Sequence, residues 1–278
     1  MLLLACTASP PPESLGDDSA TSSVPSAYEV HWSTEPDPVI ALEEAQFTLT
    51  VTDQDGRPID DLQQEHQRMV HTIFISEDLS EFQHLHQEDT TPITADNLRT
   101  ATYSFPLSLA HSGLFYLGFD YAHLNVYLHT ESQLTASGDP PQGAQDLSLV
   151  TEAENKGIHA ILSWDVDPIM GYEAAFRVTL SDTETGDPIT DVGQWLGADA
   201  HMVTTDSQHS AIGHTHAWFP GMESAPPGHD MPHQYSGPEI PFHYTFMTAG
   251  VHKVWVQFTR EPEPDQVITL PFVFEVSP

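Results

Sequence analysis

The sequence predicts an all-β chain made of two tandem immunoglobulin-like antiparallel β-sandwich domains related by internal duplication. Three observations carry this. Apolar residues recur in short alternating runs, such as Phe47, Leu49 and Val51 set between threonines. Turn-forming clusters separate the runs, and no stretch reads convincingly as a helix. The second half of the chain then repeats the apolar phase of the first.

The first 27 residues read as a truncated lipoprotein signal and a disordered tether. Leu3-Leu4-Ala5-Cys6 resembles the lipobox of bacterial lipoproteins, which implies lipidation of Cys6. The Ser/Pro/Asp-rich stretch from Thr7 to Ala27 suits the tether. Fewer residues precede Cys6 than the roughly 15–30 of a working signal, so the expected start codon lies upstream. Thr7 gives no signal for inner-membrane retention. The expectation is an exported protein of the cell envelope, on the outer membrane or its periplasmic face, touching membrane through the lipid anchor only.

Residues 28–137 are predicted to form the first domain. Met69–Ile75, Tyr103–Leu109 and Leu117–Tyr121 read as strands, with turns at Asp53-Gln54-Asp55-Gly56 and His111-Ser112-Gly113. Residues 138–146 read as a linker and 147–278 as the second domain. Phe176, Val178 and Leu180 match Phe47, Leu49 and Val51. Gly186-Asp187-Pro188-Ile189 matches Gly56-Arg57-Pro58-Ile59. Ile240, Phe242, Tyr244 and Phe246 match Tyr103, Phe105, Leu107 and Leu109.

Charge excludes some functions. The chain has 41 Asp and Glu against 7 Lys and Arg, a formal net charge of -34. Such a surface repels nucleic acid and anionic lipid heads. The acids are scattered, with no D-x-D-x-D-G calcium loop, which favours adaptation to high salt over cation collection. Cys6 is the one cysteine, so the chain forms no internal disulfide and offers no thiolate site in its folded body.

Among the 17 histidines, three repeat. His71 is followed by His84 and His86, and His201 by His214 and His216, at the same spacings in both halves. In a His-x-His strand both rings share one face, and a third ring from a neighbouring strand completes a three-nitrogen face. That face suits zinc, copper or nickel and leaves a position open for water or another ligand. The competing reading is structural. His71 shares a strand face with Ile73 and His201 with Val203, so both suit half-buried hydrogen-bonding residues as well. His111, His123, His129 and His159 read as surface or rim residues.

The second half departs in one loop, Gly228-His229-Asp230-Met231-Pro232-His233. Imidazole plus thioether accommodates both oxidation states of copper, so His229, Met231 and His233 join the candidate ligands.

Two stretches, Val70-His71 through Glu77-Asp78-Leu79-Ser80-Glu81-Phe82-Gln83-His84-Leu85-His86 and Leu196-Gly197-Ala198-Asp199-Ala200-His201 through His214-Thr215-His216, resemble exported bacterial YtkA-like domains. That resemblance implies β-sandwiches associated with heavy-metal and copper handling. The leading expectation is therefore a copper-buffering or copper-delivering envelope lipoprotein, whose partners are the metal ion and another envelope metal-handling protein. The alternative is a non-catalytic adhesion or scaffold lipoprotein with structural histidines. A metal-dependent hydrolase ranks last, because Asp78 near the first triad is matched by Gln208 in the second and no general base follows the repeat. Blue copper is disfavoured for want of a thiolate.

Overall fold

The computed structural model describes residues 27–141, 147–220 and 233–278. Within these, the alternating runs become strands whose apolar side chains face inward. In the first unit β1 (Tyr28–Glu35), β2 (Ala45–Asp53), β3 (Val70–Ser76), β4 (Phe82–Leu85), β5 (Thr102–Leu107), β6 (Gly113–His123) and β7 (Val126–Ala136) form two antiparallel sheets, ordered β1-β2-β5 and β4-β3-β6-β7.

The second unit repeats the plan. Here β8 (Glu152–Asn155), β9 (Ile158–Val166), β10 (Glu173–Asp182) and β14 (Glu239–Thr245) form the sheet β14-β10-β9-β8. The other sheet holds β11 (Val192–Gly193), β12 (His201–Asp206), β13 (Ile212–His216), β15 (Gly250–Arg260) and β16 (Glu263–Val276), with β12 between β13 and β15.

The duplication extends to packing. Phe47 stacks on its cross-strand partner Phe105 at 5.3 Å, and Phe176 on Phe242 at 5.3 Å. Such pairs add about 0.5–1.5 kcal/mol beyond area burial. Gly56 and Gly186 close matching turns, each at φ 75°, where a side chain would be strained.

One helix departs from the expectation of strands alone. Ala95–Thr100 is a six-residue α-helix in the segment between His86 and Tyr103. Thr94 caps it by accepting from the Asn97 backbone N–H, and the Asn97 side chain returns a bond to the Thr94 backbone.

The two units meet sheet to sheet. Every residue of β3 and of β12 is buried, which an ordinary half-exposed antiparallel strand would not show. Val70 and Phe74 enter the first core and Met202 the second, while Ile73, Ile75, Leu79, Val203, Ile212 and Trp255 form a third apolar cluster between the units. Phe82 stacks on Trp255 at 5.0 Å, and Ile212 lies against Gly118, where an added Cβ would stand 3.2 Å from Ile212 Cγ2. Gly118 and Trp255 occupy equivalent strand positions, opposite Ile73 and Val203. A tryptophan in one unit thus answers a glycine in the other.

Candidate metal centre at the interface

The histidines face that interface. On β3, His71 shares the outward face of Ile73 and Ile75. The pairing Ile73↔His84 puts the β4 ring beside it, and His86 follows at the strand end. On β12, His201 lies opposite His216, and Val203 opposite His214. Antiparallel partners share a face, so each unit gathers three rings.

In the first triad, His71 Nδ1, His84 Nε2 and His86 Nε2 stand 3.0, 3.0 and 3.1 Å apart. Each ring's other nitrogen meets an acceptor. His71 Nε2 donates to the Glu65 carbonyl at 3.1 Å, His84 Nδ1 to Gln257 Oε1 at 3.1 Å, and His86 Nδ1 to Asp89 Oδ2 at 2.7 Å. Those bonds fix the tautomers, so three unprotonated nitrogens converge. Three lone pairs at this distance repel one another unless a cation lies between them, and a transition ion about 2.0–2.1 Å from each fits the triangle.

The second triad follows the same design. His201 Nε2 donates to the Trp195 carbonyl at 3.0 Å, and His214 Nδ1 to Asp120 Oδ2 at 3.1 Å. Their remaining nitrogens lie 3.4 Å apart, and His216 Nε2 is buried with no hydrogen-bond partner among the described residues. One ligand nitrogen from each of His201, His214 and His216 falls within 4.8 Å of the others.

The triads also adjoin one another. One ligand nitrogen from each of His71, His84 and His214 also falls within 4.8 Å of the others. Across the interface, His214 has ring centroids 5.2 Å from His71 and 5.0 Å from His84. Trp195 packs edge-on against His201 at 5.0 Å and His84 at 5.9 Å.

Electrostatics keep most of these rings neutral. Burial first, then neighbouring imidazoles, holds His71, His84, His201 and His216 well below the ordinary histidine range. His86 is also lowered by burial, although Asp89 works against it. Neutral imidazole is the form that binds metal.

Several residues that sequence patterns do not single out complete the site. Asp120 pairs across strands with His71, and Gln257 with His201, so each unit lends one acceptor to the other unit's middle histidine. Behind them, Gln257 Nε2 donates to Thr269 Oγ1 at 3.1 Å, while Asp120 holds His129 Nδ1 at 2.5 Å. Buried His66 lies 3.8 Å from His216, ring to ring. It sits in the turn bridged by Glu65 and Arg68, whose counterpart is bridged by Trp195 and Ala198. Leu196 takes its place there, so no repeat could flag it.

Other expectations resolve differently. His233 donates from Nδ1 to Asp199 Oδ1 at 2.6 Å and its Nε2 meets Ser236 Oγ at 3.3 Å, so both nitrogens are engaged away from the triads' inward nitrogens. His229, Met231 and Cys6 lie outside the described residues. Asp78 turns its carboxylate into the β3–β4 turn, accepting from Ser76 Oγ and Ser80 Oγ. His159 is a partly exposed residue of β9 beside Glu152. His111 is part-buried over Ser112 and Ser80. His123 departs from the surface reading, being buried between Tyr28 Oη and Asp61. His129 likewise belongs to the shell behind the second triad.

A family model described as a domain of unknown function (DUF8832) matches residues 22–138 and again 149–278. No curated protein matches the chain. Among solved structures, the chain is similar to a Salmonella alpha-2-macroglobulin at 11% identity and TM-score 0.29, over 91% of this chain and 15% of that one. It is similar to the bacterial integrin-binding protein invasin at 13% identity and TM-score 0.24, over 88% and 39%. A two-domain fibronectin type III segment of chicken tenascin follows at 10% identity and TM-score 0.23, over 89% and 98%. The chain spans under a fifth of the length of the first of these.

Proposed function

The chain belongs to the DUF8832 family and carries its domain twice, and on that footing we propose that it is a metal-binding protein of the cell envelope that holds copper, with zinc as the alternative, on its paired histidine triads. The observation that carries this reading is the convergence of His71 Nδ1, His84 Nε2 and His86 Nε2 at 3.0–3.1 Å with each opposite nitrogen donating to an acceptor. A histidine that serves packing alone needs hydrogen bonds on its nitrogens, not a shared focus of lone pairs. Copper stands first because imidazole donors bind it most tightly among the divalent first-row ions. The likeness of both histidine stretches to YtkA-like domains points the same way. Buffering, or delivery to another envelope metal-handling protein, is the corresponding role, with lipidated Cys6 as the tether.

The test is metal content and affinity of the purified chain beside His71→Ala and His201→Ala variants. Copper or zinc bound by the parent and weakened in both variants is the expected result. A parent that binds neither ion makes the histidines structural and the chain a scaffold. Replacing Cys6 by Ser should move the protein from the membrane to the soluble fraction, and unchanged membrane association would remove the anchor.

A further inference from the structure

The six inward-facing rings come from two units but occupy one place. The first triad's three nitrogens lie 3.0–3.1 Å apart, and those of His201 and His214 lie 3.4 Å apart. One nitrogen of His214 also falls within 4.8 Å of one from each of His71 and His84. Ring centroids across the interface are 5.0–6.4 Å apart, close to the 4.5–5.6 Å found within the triads. The contacts are reciprocal as well. His84 donates to Gln257 and His214 to Asp120, and these acceptors hold equivalent positions opposite His201 and His71. Such an exchange is the signature of a two-fold arrangement, here between the halves of one chain.

We propose that the two triads form a single two-ion centre, in which two transition ions sit side by side at the interface and sense one another directly. This rests on the metal-binding reading and sharpens it. Donor count decides between one ion and two. Zinc at protein sites takes four ligands, commonly three from the protein and one open, and imidazole sites for copper have similar counts. Six imidazoles exceed the need of one such ion and supply three each to two. An ion about 2.0–2.1 Å from its nitrogens, on either side of a nitrogen separation within 4.8 Å, places the two ions no more than about 9 Å apart. At that distance the magnetic interaction between two paramagnetic ions is readily measured.

The surroundings of the two sites differ. In the second triad the Asp120 carboxylate, with His129 behind it, backs the middle ring of His214; in the first the middle ring of His84 is backed by the Gln257 amide and Thr269, and the carboxylate, Asp89, stands behind His86 instead. Carboxylate backing raises ligand basicity. The two ions are therefore inequivalent, and their spectra differ.

The experiment is a titration of the full chain with Cu(II), and separately with Co(II) as a paramagnetic stand-in for Zn(II). Electron paramagnetic resonance is recorded at one and two equivalents. The expected result is saturation at two ions, a spin-coupled spectrum with a half-field transition at two equivalents, and its loss in His216→Ala, which should hold one uncoupled ion. Two ions whose spectrum is the plain sum of two isolated centres would overturn the pair while leaving metal binding intact. Saturation at one ion held by both triads would also overturn it. Retention of two coupled ions by His216→Ala would show that the second site is not the one described. Binding of none of these ions would sink the metal reading itself.

Discussion

His214 of the second unit donates through Nδ1 to Asp120 of the first, 3.1 Å away. The same carboxylate holds His129 at 2.5 Å, so one side chain joins the interface, the second triad and the edge strand β7 of the first unit's interface sheet. Asp120→Asn tests that junction. The amide can still accept from His214, but it removes the nearer of the two carboxylates that face His129, leaving Glu131 at 3.1 Å. Both carboxylate and ring are mostly out of solvent, at 14% and 20% side-chain exposure. The loss should stay below the roughly 3–5 kcal/mol of an uncompensated buried charge, because Glu131 still faces the ring. Metal affinity at the second triad should fall by about 10–100-fold. Affinity at the first triad should stay near the parent value. Chemical denaturation and metal titration of the variant measure both effects; equal losses at the two triads would contradict the assignment.

The pH profile of the metal-free chain should have two arms. His71, His84, His201 and His216 are held below the ordinary value of 6.5, chiefly by burial. The unfolded chain takes up protons that the folded one refuses. Their contribution is complete above pH 6.5 and declines as pH falls below it. His129 acts in the opposite sense. Burial disfavours its charge, but Asp120 and Glu131, the carboxylates that face it, raise its pKa to about 10. Its contribution is complete below pH 6.5 and is lost as pH climbs toward about 10. Stability should therefore peak near neutrality. Urea midpoints at about pH 5, 7 and 9 check this, and a profile flat across that span would contradict it. Bound metal should steepen the acid arm, because ligation requires neutral rings.

Trp255 reports on the interface itself. It is 4% exposed, stacks on Phe82 at 5.0 Å and belongs to the apolar cluster between the units. Trp255→Ala should cost about 3–5 kcal/mol, the range for a buried aromatic reduced to alanine. It should also loosen the second triad, because Trp255 pairs with Val203 and Gln257 with His201 on the same two strands. A thermal melt gives the first effect and metal titration the second. An unchanged melt would mean that the sheets do not pack in solution as described.

How much of this was legible in the sequence follows from which interactions leave a periodic trace. Alternation set the phase of β2 and β10, and the stacked Phe47–Phe105 and Phe176–Phe242 pairs follow from it. The spacing His71–His84–His86 and its copy gave the triads. The cross-unit contact left only a hint: Met69–Ile75 is too continuously apolar for a strand with a wet face, and β3 is buried on both sides. Asp120 and Gln257 escaped notice because their role depends on strand register and on the packing of one unit against the other. His66 escaped because its counterpart is Leu196. The helix at Ala95–Thr100 is too short to show a period, although Thr94 and Asn97 were its capping signal.

Salt should stabilise the chain, and the pairing of its few cations shows why. All five arginines already lie within ion-pair distance of aspartates: Arg57 with Asp53 and Asp55, Arg68 with Asp89, Arg99 with Asp96, Arg177 with Asp165, and Arg260 with Asp191. Lys156 and Lys253 donate to the carbonyls of Val267 and Leu79. Against 41 acidic residues, most carboxylates therefore have no cationic side chain to oppose them. Screening weakens attraction and repulsion alike. Exposed ion pairs contribute only about 0–1 kcal/mol each, so weakening them costs little. Repulsion summed over a net charge of -34 outweighs them, and it falls as the Debye length shrinks to about 3 Å at 1 M salt. The melting temperature should climb steadily from low to molar KCl. Sucrose at matched water activity separates charge screening from general exclusion at the protein surface. An equal gain in sucrose, or a melting temperature indifferent to KCl, would remove the high-salt adaptation.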